Sequence, residues 1–313
     1  MLRPPSLGSY LHALLAPIDV SGGRVHEILH SCPVLLSCPM SITAQGLTTQ
    51  QIDEILGRTG QKAGDVYRVA FPRTDLHVTS DGIAIKPGLA LGSWAAFAGT
   101  DEHASVMGDL VLLPSEVDGV MRKLRSAGFE ISAVHNHLDQ ETPRVMYVHY
   151  IGHGNAADLA KSLKSALAES KTPLEPPVTA AAEAMAAWVQ SVNTTLGVQG
   201  KWAGGVLSFG IPRADAVVEN GMTLSGAQGV AESINFQEAG EGEIATTGDF
   251  VLIVDEVNPV ISALLDHNIR ITALHSHMLT EQPRIFFMHF WAVGTPESVG
   301  RGIKAALDKI HVK

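Results

Sequence analysis

Cysteine is scarce: Cys32 and Cys38 are the two in 313 residues. That excludes a disulfide framework and a zinc site built on paired thiolates. No apolar run reaches the roughly 18 residues that a bilayer-spanning helix needs. Lys and Arg nowhere cluster, and the formal net charge is −10. A nucleic-acid partner, whose backbone calls for a basic face, is therefore not expected. The chain also lacks a P-loop, a Gly-rich dinucleotide loop after a strand, and a Gly-x-Ser-x-Gly elbow. With 45% hydrophobic and 17% charged residues it reads as a folded globular protein.

What the chain does have is histidine, 14 in all, and a repeat. Gly108-Asp109-Leu110-Val111-Leu112 matches Gly248-Asp249-Phe250-Val251-Leu252 at an offset of 140. The same offset pairs Glu116-Val117 with Glu256-Val257, and Pro72-Arg73 and Asp75 with Pro212-Arg213 and Asp215. It pairs His135-Asn136-His137 with His275-Ser276-His277, Pro143-Arg144 with Pro283-Arg284, and His149 with His289. One compensated gap near residues 80–97 completes the alignment. Self-similarity of this kind marks a duplicated structural unit. The copies span residues 47–170 and 187–313, joined by a Pro/Ala-rich connector at 171–186.

Residues 1–46 read as an N-terminal arm or the remnant of an export signal, the latter with a true start downstream of Met1 as an alternative. The segment 32–46 is short, apolar and ends in small residues, and Leu35-Leu36-Ser37-Cys38 loosely resembles a lipoprotein cleavage box.

Each copy reads as strands, a helix, a hairpin and a last helix. Ser115 and Asp255 are the expected helix caps, Val117, Val120, Met121 and Leu124 follow helical spacing, and Gly128 ends the first helix. Residues 130–137 alternate as a strand, 138–143 turn, and 144–150 form the returning strand. The last helix starts at Asn155, or at Thr295 with Pro296 in the first helical position. The expected fold class is α+β: two tandem homologous repeats, antiparallel sheets with helices on one face, related by a pseudo-twofold axis.

Strand alternation puts His135 and His137 on one face with Ile131 and Ala133, and His275 and His277 with Ile271 and Ala273. Such imidazoles, about 7 Å apart at Cα, can chelate one ion. His149 and His289 on the next strand could complete each set, though a one-residue slip of register would turn them away. The expectation is one divalent-metal site per copy, zinc first among the ions, with three histidines and an open position. Glu141 and Glu281 in the turns are candidates for a fourth ligand or a general base, and Arg144 and Arg284 for holding an anionic substrate group. His153 has no counterpart, since Val293 stands in copy 2, so the copies are not equal. Arg73–Asp75 and Arg213–Asp215 read as structural ion pairs, Asp109 and Asp249 as turn residues, and Trp94 and Trp291 as core. A hydrogen-bonded pair of core histidines is the competing account. It explains less well why polar residues persist on an apolar face in both copies, because buried polar groups cost free energy unless paired.

The string Leu91-Gly92-Ser93-Trp94-Ala95-Ala96-Phe97, followed by Met107-Gly108-Asp109, the His135/His137 pair, Pro143-Arg144 and His149, resembles the LppY/LpqO family. That is a bacterial domain of unknown function, and the likeness covers both copies. The resemblance implies an exported or lipid-anchored protein, periplasmic or secreted, and transfers no activity. Copy 2 lacks the Trp-Ala-Ala-Phe string in its segment 224–236. Three readings remain: a metal-dependent hydrolase or lyase on a small polar or anionic substrate, a non-catalytic protein that binds metal or a cell-envelope ligand, or a purely structural duplicated scaffold.

Overall fold

In the computed structural model, residues 46–176 and 183–313 are described. The segment carrying the export expectation and part of the connector fall outside them. Repeat 1 runs α1 (Thr49–Leu56), β1 (Gln61–Ala63), β2 (Val66–Pro72), β3 (Thr79–Ser80), β4 (Ile83–Ala84), α2 (Pro87–Ala90), β5 (Gly92–Gly99), β6 (Ala104–Leu112), α3 (Pro114–Ser126), β7 (Glu130–His135), β8 (Glu141–Thr142), β9 (Met146–Gly154) and α4 (Ala156–Leu167). Repeat 2 runs α5 (Val189–Leu196), β10 (Lys201–Ala203), β11 (Val206–Pro212), β12 (Val217–Glu219), β13 (Met222–Leu224), a 3-10 turn (Gly226–Gln228), β14 (Ala231–Gly240), β15 (Glu243–Ile253), α6 (Val254–Asp266), β16 (Arg270–His275), β17 (Ile285–Gly294) and α7 (Pro296–Leu307).

Each repeat builds one six-stranded sheet, ordered β1-β2-β5-β6-β9-β7 and β10-β11-β14-β15-β17-β16, and every pairing is antiparallel. No helix among the described residues is long and apolar enough to cross a membrane.

The alternation of strand side chains decides the layers. In β6, Val106, Leu110 and Leu112 join Val148 and Tyr150 of β9 in a core with Val120, Leu124, Leu159 and Leu163 of the helices. Repeat 2 builds the same helix–sheet core around Phe250, Phe290, Val260, Leu264 and Ile303. The opposite faces of the two sheets pack on each other. Val66, Ala96, Met107 and Ile151 meet Val251, Ile285 and Phe287, while Val111, Val145 and Tyr147 meet Ala245 and Trp291. All nine residues of β6 are buried, since both of its faces are covered. The layers are therefore helix, sheet, sheet, helix, with the repeats joined sheet to sheet.

The expected caps fall elsewhere. Helix α3 is entered from Leu113, with Pro114 in the first turn, and the Glu116 carboxylate accepts the Leu113 amide at 2.8 Å. In repeat 2, Glu256 takes the Ile253 amide at 2.9 Å. This is the Glu half of a capping box, without a Ser or Thr partner. The caps at Asn155 and Thr295 stand as expected, with both side chains accepting first-turn amides.

The same glutamates anchor buried arginines. Arg73, fully buried, donates to the Val111 carbonyl at 2.6 Å, Glu116 at 2.8 Å and Asp75 at 2.9 Å. Arg213 repeats this with Val251, Glu256 and Asp215. Removing one partner leaves buried carboxylate charge uncompensated. Arg73→Ala is expected to cost about 3–5 kcal/mol in urea unfolding. A loss under about 1 kcal/mol would show that the network is not holding β2 to α3.

Candidate metal centre

The histidine strands carry a bulge that changes which way they point. In β7, Ile131 pairs with Tyr150 and Ala133 with His149, so Ser132 is an extra residue. Thr272 is the equivalent extra residue in β16. A bulge breaks strict alternation. Ile131 therefore packs on the helix side, while His135 shares its face with Tyr147, toward the other sheet. The expectation that the histidines share a face with Ile131 and Ile271 is corrected accordingly. They line the interface between the repeats, and the register places His149 and His289 there too.

Both expected trios converge at one interface: His135, His137 and His149 group together, and His275, His277 and His289 form a group that also takes in His135. His135 and His275 face each other across the pseudo-twofold axis, ring centroids 3.7 Å apart. His137 lies 3.9 Å from His289, and the symmetry-related pair His149–His277 is 3.7 Å apart. Tyr147 stacks behind His137 at 3.4 Å, and Phe287 behind His277 at 3.6 Å. The chain crosses over as well: Thr272 Oγ1 donates to the His137 carbonyl, and Asn136 Nδ2 to the Thr272 carbonyl at 3.4 Å.

Among the described residues, three groups have ligand atoms within 4.8 Å of one another: His135 with His275, His277 and His289; His135 with His137 and His149; and His137 with Asp249 and His289. The first and third draw on both repeats. All six Nε2 atoms are buried and lack a hydrogen-bond partner among the described residues. Nδ1 of His135, His275 and His289 lies 3.2, 3.3 and 3.1 Å from the carbonyls of Asn136, Ser276 and Gly248. A carbonyl only accepts, so these Nδ1 atoms carry the proton and Nε2 presents its lone pair. Metal-bound histidines are commonly oriented this way. Burial, reinforced by the neighbouring imidazoles, pushes the pKa of His135, His137 and His277 far down. The same causes bring His149 to about 3 and His275 to about 4. The neutral imidazole is the ligand form.

The carboxylates at the centre are Asp109 and Asp249, which correct the reading of both as turn residues. They sit in mid-strand opposite His149 and His289. Asp109 approaches His149 Nε2 at 3.6 Å and His137 Nε2 at 3.8 Å, and Asp249 lies 2.5 Å from His289 Nδ1. Burial and repulsion from Asp249 push the Asp109 carboxyl well up, against the pull of Arg68. Burial also raises Asp249, but the surrounding imidazoles, His289 first, outweigh it and leave it below the usual range. The preceding glycines serve strand packing: a Cβ on Gly108 would meet the Trp94 carbonyl at 2.2 Å, and one on Gly248 the Ser233 carbonyl at 1.8 Å. The signal was present in the sequence, as a polar residue kept in both copies of a Val/Leu-rich strand.

The other candidates lie elsewhere. Glu141 and Glu281 belong to none of the three groups. They are buried within their own turns, where Oε1 accepts the amides of Val145 at 3.4 Å and Ile285 at 3.1 Å. Arg144 and Arg284 are exposed, and Arg284 ties the carbonyls of Met278 and Leu279. Glu141, Glu281 and Arg284 thus brace the turns that carry His137 and His277. His153 is exposed and outside the centre. Trp291 is core, as expected, but Trp94 lines a pocket.

That pocket, about 200 Å³, opens onto the centre. Arg68, Trp94, Asp109, His137 and Tyr147 line it from repeat 1, and Ser233, Asn235, Thr247 and Asp249 from repeat 2. Arg68 stacks on Trp94 at 3.8 Å and donates to the Ala227 carbonyl at 2.8 Å. Nothing in the repeat marked Arg68, whose counterpart in copy 2 is Ser208.

The molecule is thus a tandem α+β protein with an imidazole-rich centre shared between its halves. The chain belongs to the family described as Domain of Unknown Function (DUF1259), whose model matches residues 50–169 and 190–309. No curated protein matches it. Among solved structures, it is similar to the trimeric bacterial microcompartment shell protein PduB, at 13% identity over 80% of this chain and 88% of that one, with a TM-score of 0.19. EtuB from Clostridium kluyveri follows at 8% identity, 80% and 89% coverage and a TM-score of 0.19. TP0453 follows at 13% identity, 80% and 96% coverage and a TM-score of 0.18. Likenesses at these scores carry no argument here.

Proposed function

We infer that this protein binds a divalent transition metal between its repeats, with zinc the ion best suited to the donors. The observation that carries the reading is the set of six buried Nε2 atoms without partners. Leaving a buried polar atom unpaired costs on the order of 1–3 kcal/mol, so a fold that gathers six of them needs something to bond them. Imidazoles with a neighbouring carboxylate suit zinc, while iron, manganese and copper accept the same donors.

The pocket beside the centre favours chemistry on a small molecule over a purely structural ion. The reading is a metal-dependent hydrolase or lyase acting on a small polar or anionic substrate. A bound ion would supply Lewis acidity or an activated water. The chain's own residues would hold the ion through His137, His289 and Asp249, and position the substrate against Trp94 and Arg68. Asp109, not Glu141, is the group placed to hold or move a proton at the pocket wall. A protein that binds metal without turnover is the second reading, favoured by the four-histidine group, which leaves no protein-free position on a tetrahedral ion.

Elemental analysis of the untagged protein tests the metal. At least one equivalent per chain is expected, removed by chelation and restored by titration. If none co-purifies and none binds on titration, the metal reading fails and the enzyme reading fails with it.

A further inference from the structure

Among the described residues, the pseudo-twofold axis relates two pockets of very different volume. The open one, about 200 Å³, lies beside His137 and Asp249. Its counterpart beside His277 and His149 has shrunk to about 10 Å³. The strand pairings identify what fills it. Trp94 pairs with Asp109 where Ser233 pairs with Asp249, so Trp94 stands in the place of Ser233. By the same alignment Met107 stands for Thr247 and Ala96 for Asn235. Met107 lines the small pocket, while the polar Thr247 and Asn235 line the other beside Trp94. Repeat 1 adds a cation to the open side, Arg68, where repeat 2 has Ser208.

We propose that the open pocket is a binding site for a small oxyanion, a carboxylate or phosphate held by Arg68 beside the ion at His137, His289 and Asp249. This rests on the metal reading above and names the class of ligand for that site. The Arg68 guanidinium is pre-organised by its stack on Trp94 and its bond to the Ala227 carbonyl. Arg68 lines the pocket, whose other charged lining is Asp109 and Asp249. A divalent ion and Arg68 together outweigh those two carboxylates even when both are ionised, so the loaded pocket favours an anion. Arginine's planar fork matches an oxyanion. Asn235 and Ser233 add polar lining, and the volume limits the ligand to a few heavy atoms.

The test uses the full chain loaded with cobalt(II), whose visible spectrum reports the ion's ligands. Cobalt content is measured first. If none binds, the metal reading is overturned and this proposal with it. With cobalt bound, malonate or inorganic phosphate is expected to change the spectrum saturably, while uncharged malonamide does not. The two anions titrated separately distinguish carboxylate from phosphate. Arg68→Met is expected to weaken anion binding at least tenfold with cobalt content unchanged, and Arg68→Lys to weaken it less. Should neither anion bind the cobalt-loaded protein, or should Arg68→Met, folded by circular dichroism, bind as tightly as wild type, the proposal is wrong while the metal reading stands.

Discussion

The double variant His135→Ala/His289→Ala is expected to lose its metal, whereas His149→Ala/His275→Ala keeps it. Both remove one histidine from each repeat. If each repeat held its own ion, the two variants would behave alike. The shared centre makes them different. His135 and His289 between them enter all three groups of converging ligands. Their loss leaves His275 with His277, His137 with His149, and His137 with Asp249, so no group keeps more than two donors. Removing His149 and His275 leaves His137, Asp249 and His289 complete, and His135, His277 and His289 still together. A structural zinc site is worth about 10–16 kcal/mol over four ligands, so each ligand contributes about 3 kcal/mol. That corresponds to roughly a hundredfold or more in affinity per ligand lost. Competition against a chromophoric chelator reads both variants on one scale. Equal losses would return the protein to two independent sites.

The distinction between shared and separate sites also measures how far the sequence could be read. The repeat, the two hairpins and the identity of the six histidines follow from residue order alone, because a duplication at one offset writes each motif twice. The α+β class with helices on one face followed from the periodicities. Three things did not follow. The bulges at Ser132 and Thr272 leave no mark that separates them from ordinary strand residues, yet they turn His135 and His275 away from the helix-side core. The second buried face of each sheet was hidden for the same reason. Alternation predicts one apolar face, while β6 is apolar on both, with Asp109 set among Met107 and Val111. Asp109 was legible in principle, since a charged residue inside a Leu/Val run is costly unless it is used. Chain order puts Glu141 and Arg144 beside His137, but they do not join the converging ligands, and Arg144 is exposed. Within the turn Glu141 points back to the Val145 amide and leaves the histidines to Asp109 and Asp249.

The largest stability effect is expected from acid on the metal-free protein. Five histidines, His135, His137, His149, His275 and His277, have pKa values pushed below the ordinary imidazole value near 6.5, chiefly by burial. In the unfolded chain they take protons at about pH 6.5. In the folded chain they stay neutral until far lower pH, with His275 at about 4 and His149 at about 3. Between these limits the unfolded state binds more protons, so stability falls as pH falls. Each histidine is worth about 2 kcal/mol between pH 7.5 and pH 5 if its folded value lies well below that window. All five shift in the same direction, so their contributions share one sign. Chelated protein is therefore expected to lose stability as pH falls, with urea midpoints dropping below pH 6.5. The double variant His137→Gln/His277→Gln, which removes two of the titrating rings, is expected to flatten that slope by about two fifths. A midpoint that stays level from pH 7.5 to pH 5 would mean that the rings are solvated or already protonated in the folded state. The convergence of neutral imidazoles at the repeat interface would then be wrong.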